Sequence, residues 1–498
     1  MQSKMKIYTE QYHLQLKSLA KISLVIFLAI FMSYAILIAG KLSLVLVGVV
    51  LWGWLLFFKT HIALMVAVFV WMEGFGFINI EYFLRIPGVF KLQDLLFVSL
   101  FLPKLVSILT KKDSGIKADN IIKLPLLVLL LSVIALMVRT VYIHDISWIS
   151  VLKAGRHYLF YAVFFFVIWY VNTKEKLQTC LKIIICFAVL LSLIHIFQIS
   201  LGSEHKIFIS ARVIEQVDIA RVYLKGGAVR SIVFIIVIWN IFLVQPMKRW
   251  WIIVAAITGL SWVLSLSRAG WLWMLIAVFA PFIIMWPTIK KSSSFKQVRN
   301  KIKFAVVIFV ILGFIFILAA EANIGEASFF MKRIKSTIYD FTNMSGTFGY
   351  RIEESQFRFA AIKKYFVLGP GFIHPDIAAE RFIPLVKPSF NPYARSLTTV
   401  DSGITTLLVN FGIYGIFLFG WFSIRIIKFC RNTSINMKDT IFQGFPIGFS
   451  GYLIGGIASF ITLGIFTMPQ DIVVLGATLG LIQVIDKIYD GKRNIFSR

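Results

Sequence analysis

Residues 22–40 read ISLVIFLAIFMSYAILIAG, a run long enough to cross the hydrocarbon core of a bilayer as one helix, which takes roughly 20 apolar residues. Runs of the same kind recur near 42–58, 62–80, 92–110, 122–140, 156–172, 180–200, 230–246, 250–266, 269–288, 304–320, 402–425, 445–466 and 469–487, making fourteen candidate spans in all. Short hairpins among them leave twelve or thirteen open. At 59% hydrophobic and 15% charged residues over 498 positions, the chain could not cover its apolar surface in water. The spans therefore predict an all-α polytopic membrane protein with about 12–14 transmembrane helices. The first run follows a basic N-terminus, as a signal peptide would. No small-residue cleavage site follows it, and Lys41 leads straight into the next run, so an uncleaved first helix is expected.

The net charge of +28 is distributed by topology. With the N-terminus inside, the inner connections collect Lys4, Lys6, Lys17 and Lys21, then Lys111, Lys112, Lys117 and Lys123. The cluster KKSSSFKQVRNKIK (290–303) and the C-terminal Lys492, Arg493 and Arg498 fall on the same side. Short outer connections are poor in Lys and Arg, as the positive-inside rule requires, and an even span count returns the C-terminus to the cytoplasm. Nucleic-acid binding is not implied. Cys180, Cys186 and Cys430 form neither a disulfide framework nor a metal-ligand pattern, and no Asp-x-Asp pair or His/Cys/Asp cluster demands a metal; no cofactor is expected.

Two outer segments, about 201–229 and 321–400, are too long to be passive connections. They divide the chain into N-terminal helices (1–320), a large outer loop (321–400) and C-terminal helices (401–498). In the loop, ASFFMKRIKSTIYDF (327–341) sets apolar and basic residues at helical spacing, as an amphipathic helix on the membrane does. A second helix is predicted over RIEESQFRFAAIKKYF (351–366), broken by LGPGF (368–372). The loop holds ten Lys/Arg against seven Asp/Glu. Long loops escape the positive-inside rule, so that charge points to anionic head groups or to a phosphate-bearing substrate. Arg268, in SLSRAGWLWM (265–274), sits at the tip of a helical hairpin. It reads either as a snorkelling side chain or as a planar fork for phosphate oxygens, with the Ser265 and Ser267 hydroxyls beside it.

Three elements in order carry a resemblance: SLSRAG (265–270), GYRIEESQFRFAAIKKYFVLGPGF (349–372) and DSGITTLLVNFGIYGIFLFG (401–420). Their series resembles the O-antigen ligase and O-antigen polymerase family of bacterial envelope glycosyltransferases, in which a Ser-x-Ser-Arg-x-Gly element, an arginine before a Gly-x-Gly turn and a His-Asn-x-Tyr-Leu…Gly element flank one large outer loop. The match covers roughly residues 260–420. The resemblance implies a helical fold of the C-type glycosyltransferase kind, with Arg268 and Arg351 gripping the pyrophosphate of an undecaprenyl-linked oligosaccharide. It also implies work beside membrane lipid, with a flippase delivering the donor and a chain-length regulator as partners. Asp401 falls at the ligase histidine and Ser402 at the following asparagine; Asn410 and Gly412 fall at the later Glu and Gly. The Asp-Ser-Gly opening looks more like the polymerase branch.

The chemistry expected is metal-independent glycosyl transfer at the outer face of the cytoplasmic membrane. No nucleotide sugars are available there, so the donor must carry its own leaving group. Arg268 and Arg351 would stabilise the departing pyrophosphate, with Arg358 and Arg395 as lesser candidates and Ser267 beside Arg268. Asp401 is the first candidate base for the acceptor hydroxyl, and His374 in GFIHPD the second. Asp401 also suits helix capping, and His374 reads equally as a loop histidine beside a proline. A ligase that moves finished polymer to lipid A–core or protein stays open as the alternative, and a flippase or secondary transporter as a more distant one. Blander readings go to His195 as a hydrogen-bonded core residue, to Arg139 and Arg156 as snorkelling span ends, to Trp250 and Trp251 as an interfacial anchor, and to GYLIGGIAS (451–459) as a close-packing surface.

Overall fold

A computed structural model describes residues 41–72, 92–110, 119–201, 212–216, 219–223, 226–244, 249–265, 267–290, 300, 335, 339, 342–343, 355, 358–374, 402–437, 442–460, 464 and 466–496. The spans expected at 20–40 and 304–320, and all but two residues of the amphipathic stretch 327–341, lie outside them. The chain divides into a unit of residues 1–63 and one of residues 64–498. Of the first, α1 (Lys41–Phe58) is described, and α2 (Thr60–Trp71) begins at its end.

The second unit is a helical bundle. Its elements run α3 (Leu92–Ser99), α4 (Phe101–Leu109), α5 (Asn120–His144), α6 (Trp148–Gly155), a 3-10 segment (Arg156–Ala162), α7 (Val163–Tyr170), α8 (Lys174–Ser200), a hairpin of β1 (Arg212–Gln216) and β2 (Ile219–Tyr223), then α9 (Gly227–Leu243), α10 (Arg249–Val263), α11 (Arg268–Lys290), α12 (Gly403–Asn436), α13 (Gly444–Ala458) and α14 (Pro469–Phe496). Among the described residues five helical stretches are long and apolar enough to cross a membrane, and six shorter helices are apolar as well. The chain is an all-α polytopic membrane protein, and among the described residues one two-stranded hairpin, in antiparallel register Arg212↔Tyr223, departs from helix. Nothing in the 201–229 segment marked that hairpin, because its strands are short and lack a two-residue Asn-Gly or Asp-Gly turn.

Two expected spans are broken. The run 92–110 forms α3 and α4, divided at Leu100, whose carbonyl accepts the Tyr170 hydroxyl. The run 156–172 begins earlier, at Trp148, and passes through the 3-10 segment. Helix starts follow capping chemistry: Asp119, Ser147 and Thr173 each accept a backbone N–H from the first turn they precede.

Close packing centres on α13, which lies against both α9 and α11. Its glycines remove the side chains that would hold these helices apart. A Cβ on Gly448 would stand 2.6 Å from the Ile236 Cα, and one on Gly455 2.7 Å from the Trp273 carbonyl. Where the hydrophobic effect gives no drive between helices in lipid, such small-residue contacts let dispersion hold the bundle. The expected close-packing surface at 451–459 is this face. α14 packs along α7 and the 3-10 segment in the same way, through Gly476 and Gly480.

Candidate functional site

The site is built around a helix that does not run straight. In α12, Gly412 has φ 63° and ψ −158°, so the helix breaks at that residue. The break separates the N–H groups of Ile413 and Tyr414 from the carbonyls of Val409 and Asn410 that would accept them in an unbroken helix. Inside a membrane each orphaned backbone group costs several kcal/mol. The loop supplies the partners. Ile413 N–H donates to Phe366 O at 3.0 Å, Tyr414 N–H to Val367 O at 3.1 Å, and Gly371 N–H to the freed Val409 O at 3.0 Å. The LGPGF turn is thus paired into the helix as a short backbone ladder.

That pairing leaves no room for side chains. Gly369 has φ 69°, and a Cβ there would stand 2.6 Å from Leu408 O and 2.7 Å from Gly412 N. One on Gly412 would stand 2.6 Å from Leu368 N. Only glycine combines the left-handed backbone with this approach.

The end of α5 grips the other side of the turn. Arg139 Nη1 donates to Gly369 O at 2.9 Å, His144 Nε2 meets Pro370 O at 2.8 Å, and Phe372 N–H donates to Thr140 Oγ1 at 3.2 Å. Arg139 is therefore not the snorkelling side chain its position at a span end suggested; its guanidinium holds the loop. Arg156, read the same way, pairs with Asp94 at 2.7 Å. Phe372 then packs on Tyr158 and Phe411, and the Tyr158 hydroxyl accepts Asn410 Nδ2 at 2.9 Å.

The turn fixes the loop segments on either side of it. Residues 358–364 are helical and carry Arg358, 1% exposed. Ser355 Oγ lies 3.3 Å from Thr405 Oγ1, which ties the start of the loop helix to the first turn of α12. His374 follows two residues after Phe372 and is half-buried. Arg351, Arg395 and Asp401 lie outside the described residues. In sequence, Arg351 and Asp401 each precede by four residues the Ser355–Thr405 contact. Ser402 performs the capping that Asp401 also suited: its Oγ accepts Thr405 N–H at 3.4 Å.

Arg268 is the first residue of α11, and its backbone alone is described. Ser267 caps that helix, its Oγ accepting Gly270 N–H at 3.2 Å, and Ser265 donates to Trp262 O. The two hydroxyls that looked like spare phosphate donors thus shape the hairpin. A Cβ on Gly270 would stand 2.5 Å from the Trp262 ring. Trp262 in turn donates from Nε1 to Ser231 Oγ at 3.0 Å, joining the start of α11 to the start of α9. His195 meets Ser261 at 3.0 Å, as a hydrogen-bonded core residue. Among the described residues no group of three His, Cys, Asp or Glu could hold a metal ion.

Sequence reading missed Thr140 and His144, which look like ordinary span-end residues until the turn that they hold is seen.

The comparisons agree with this geography. Residues 252–420 match a family model described as O-antigen ligase. No curated protein matches the chain. The matched segment, about a third of the chain, opens in α10, contains all of α11 and the gripped turn, and ends in α12 beyond its break. Over residues 252–420, the chain is similar to the O-antigen ligase family.

Proposed function

We propose that this protein polymerises lipid-linked polysaccharide repeat units at the outer face of the bacterial cytoplasmic membrane. The donor is an oligosaccharide on undecaprenyl pyrophosphate and the acceptor is a sugar hydroxyl of another such chain. The acceptor oxygen attacks the anomeric carbon, the bond from that carbon to the pyrophosphate oxygen breaks, and the acceptor proton passes to a base. Arg268 and Arg351 offset the charge that develops on the pyrophosphate, with Arg358 and Ser267 in lesser roles. Fixed cations in a partly dry site are usually the largest catalytic contribution. Asp401 is the favoured base, with His374 second.

The observation that carries this reading is the locking of the LGPGF turn between the Gly412 break and the Arg139–Thr140–His144 end of α5. A passive connection needs no such anchorage, whereas a loop that must present an arginine to a fixed lipid headgroup does. Ser402 caps α12, so capping does not account for a carboxylate at position 401 of the sequence. The remaining features follow from this reading: both termini in the cytoplasm, a chain divided at residues 320 and 400, a flippase that supplies the donor and a regulator that sets chain length.

The family description names a ligase, and the ligase is the second reading. Asp401 at the ligase histidine position favours polymerisation. The test is a reconstitution of the purified protein in liposomes with a lipid-linked repeat unit as sole substrate. A ladder of lengthening lipid-linked glycans, lost in Arg268→Ala and Arg351→Ala, is the expected product; turnover only after lipid A–core is added would assign the ligase instead.

A further inference from the structure

The bonds that join the turn to the Gly412 break have a ready substitute within α12 itself. Ile413 N–H donates to Phe366 O, Tyr414 N–H to Val367 O, and Val409 O accepts Gly371 N–H. In a continuous helix Ile413 N–H would donate to Val409 O and Tyr414 N–H to Asn410 O, each four residues back. Straightening α12 therefore gives Ile413 the carbonyl that Gly371 gives up, and neither helix amide is left open inside the bilayer. The groups that lose partners, Phe366 O, Val367 O and Gly371 N–H, all belong to the turn. The Phe366 and Val367 side chains are exposed, so moving them uncovers little apolar surface.

Residue 412 would then serve two backbone conformations. Glycine reaches left-handed and right-handed φ at similar cost, which a residue with a Cβ does not. Gly371, with φ 108°, gives the turn a second such position. Beyond it Phe372 is fully buried against Tyr158 and Phe411, and its N–H donates to Thr140 Oγ1. Phe372 is thus a fixed pivot and Gly371 the joint beside it.

We infer that α12 and the LGPGF turn form a two-state latch. In the docked state α12 is broken at Gly412 and the turn is paired into it; in the released state α12 runs straight through Gly412 and residues 366–371 swing free of it. The exchange is all-or-none, because partial release would strand an amide in lipid. Arg139 and His144, on the Gly369 and Pro370 carbonyls, weight the balance toward docking. Docking holds the loop helix that carries Arg358 against α12, and release opens that face to a bulky chain-bearing substrate. The latch does not depend on which glycosyl transfer follows, and its test reads no activity.

The test is amide hydrogen exchange, resolved to single residues, on the full-length protein in detergent micelles. Gly371 reports the turn, and Ile413 and Tyr414 report α12. In wild type Gly371 should exchange faster than the other two, since its N–H loses its partner on release while theirs find new ones. Arg139→Ala should speed Gly371 about tenfold or more, from the loss of a hydrogen bond with a charged donor, and leave Ile413 and Tyr414 unchanged. Gly412→Ala, which favours the right-handed helix, should leave Gly371 open and Ile413 and Tyr414 at least as protected as in wild type. Acceleration of all three amides together in Arg139→Ala would overturn the latch, because the turn would then leave a broken helix behind it. An unchanged Gly371 rate in that variant would do the same, as would rapid exchange of Ile413 and Tyr414 in Gly412→Ala. If Gly412→Ala does not fold, Arg139→Ala decides alone.

Discussion

Gly369 and Gly412 each occupy the space the other's side chain would need: a Cβ on Gly369 would stand 2.7 Å from Gly412 N, and one on Gly412 2.6 Å from Leu368 N. Both have positive φ, 69° and 63°. The turn at 366–371 and the broken helix are therefore one backbone assembly, and disturbing either should release the other.

Gly412→Ala should undock the turn. A left-handed backbone at a non-glycine residue costs about 1–3 kcal/mol, and the added methyl group cannot avoid the Leu368 backbone. Protein that still inserts should lose nearly all activity, and limited proteolysis should cut the loop faster than in wild type. Unaltered cleavage of the variant would count against the docked turn.

Arg139→Ala should act through the same turn with less force. A hydrogen bond from a charged donor contributes about 1.5–3 kcal/mol, so the docked population should fall on the order of tenfold or more. Arg139→Lys, which can still reach the Gly369 carbonyl, should recover part of the loss. Loop proteolysis should rise as glycan output falls, and both should return toward wild type together in Arg139→Lys. A snorkelling arginine would leave both unchanged.

Tyr158→Phe removes the hydroxyl that accepts Asn410 Nδ2 at 2.9 Å inside the bundle. A buried donor left without a partner costs about 1–3 kcal/mol. The thermal midpoint in detergent should fall by several degrees, with activity at low temperature largely kept. A wild-type midpoint would mean that Asn410 finds another partner.

Arg268→Lys separates two roles for the hairpin arginine. A point charge replaces a bidentate fork, so activity should drop sharply while the protein accumulates normally. Full activity would argue against pyrophosphate contact.

The spans were legible because bilayer thickness fixes how long an apolar run must be, and α5, α8, α9, α10 and α11 begin or end within a few residues of the runs that forecast them. Leu100, where α3 gives way to α4, was not legible: hydropathy records that a stretch is apolar and says nothing of whether its backbone is continuous. The Gly-x-Gly turn was read correctly as a helix stop. Its partner was not, because Gly412 lies far along the chain and a single glycine in an apolar run also serves close packing, as Gly448 and Gly455 do. That Ser267 caps α11 was not legible, since the same hydroxyl suits a ligand or a cap and only the Gly270 N–H at 3.2 Å shows the cap.

The most direct test of polymerisation is the envelope glycan profile, by gel and mass spectrometry, of a strain lacking this chain. The account predicts carrier lipid or core bearing a single repeat unit and no longer polymer. Full-length polymer stranded on the undecaprenyl carrier would contradict it and assign the ligase reaction in its place.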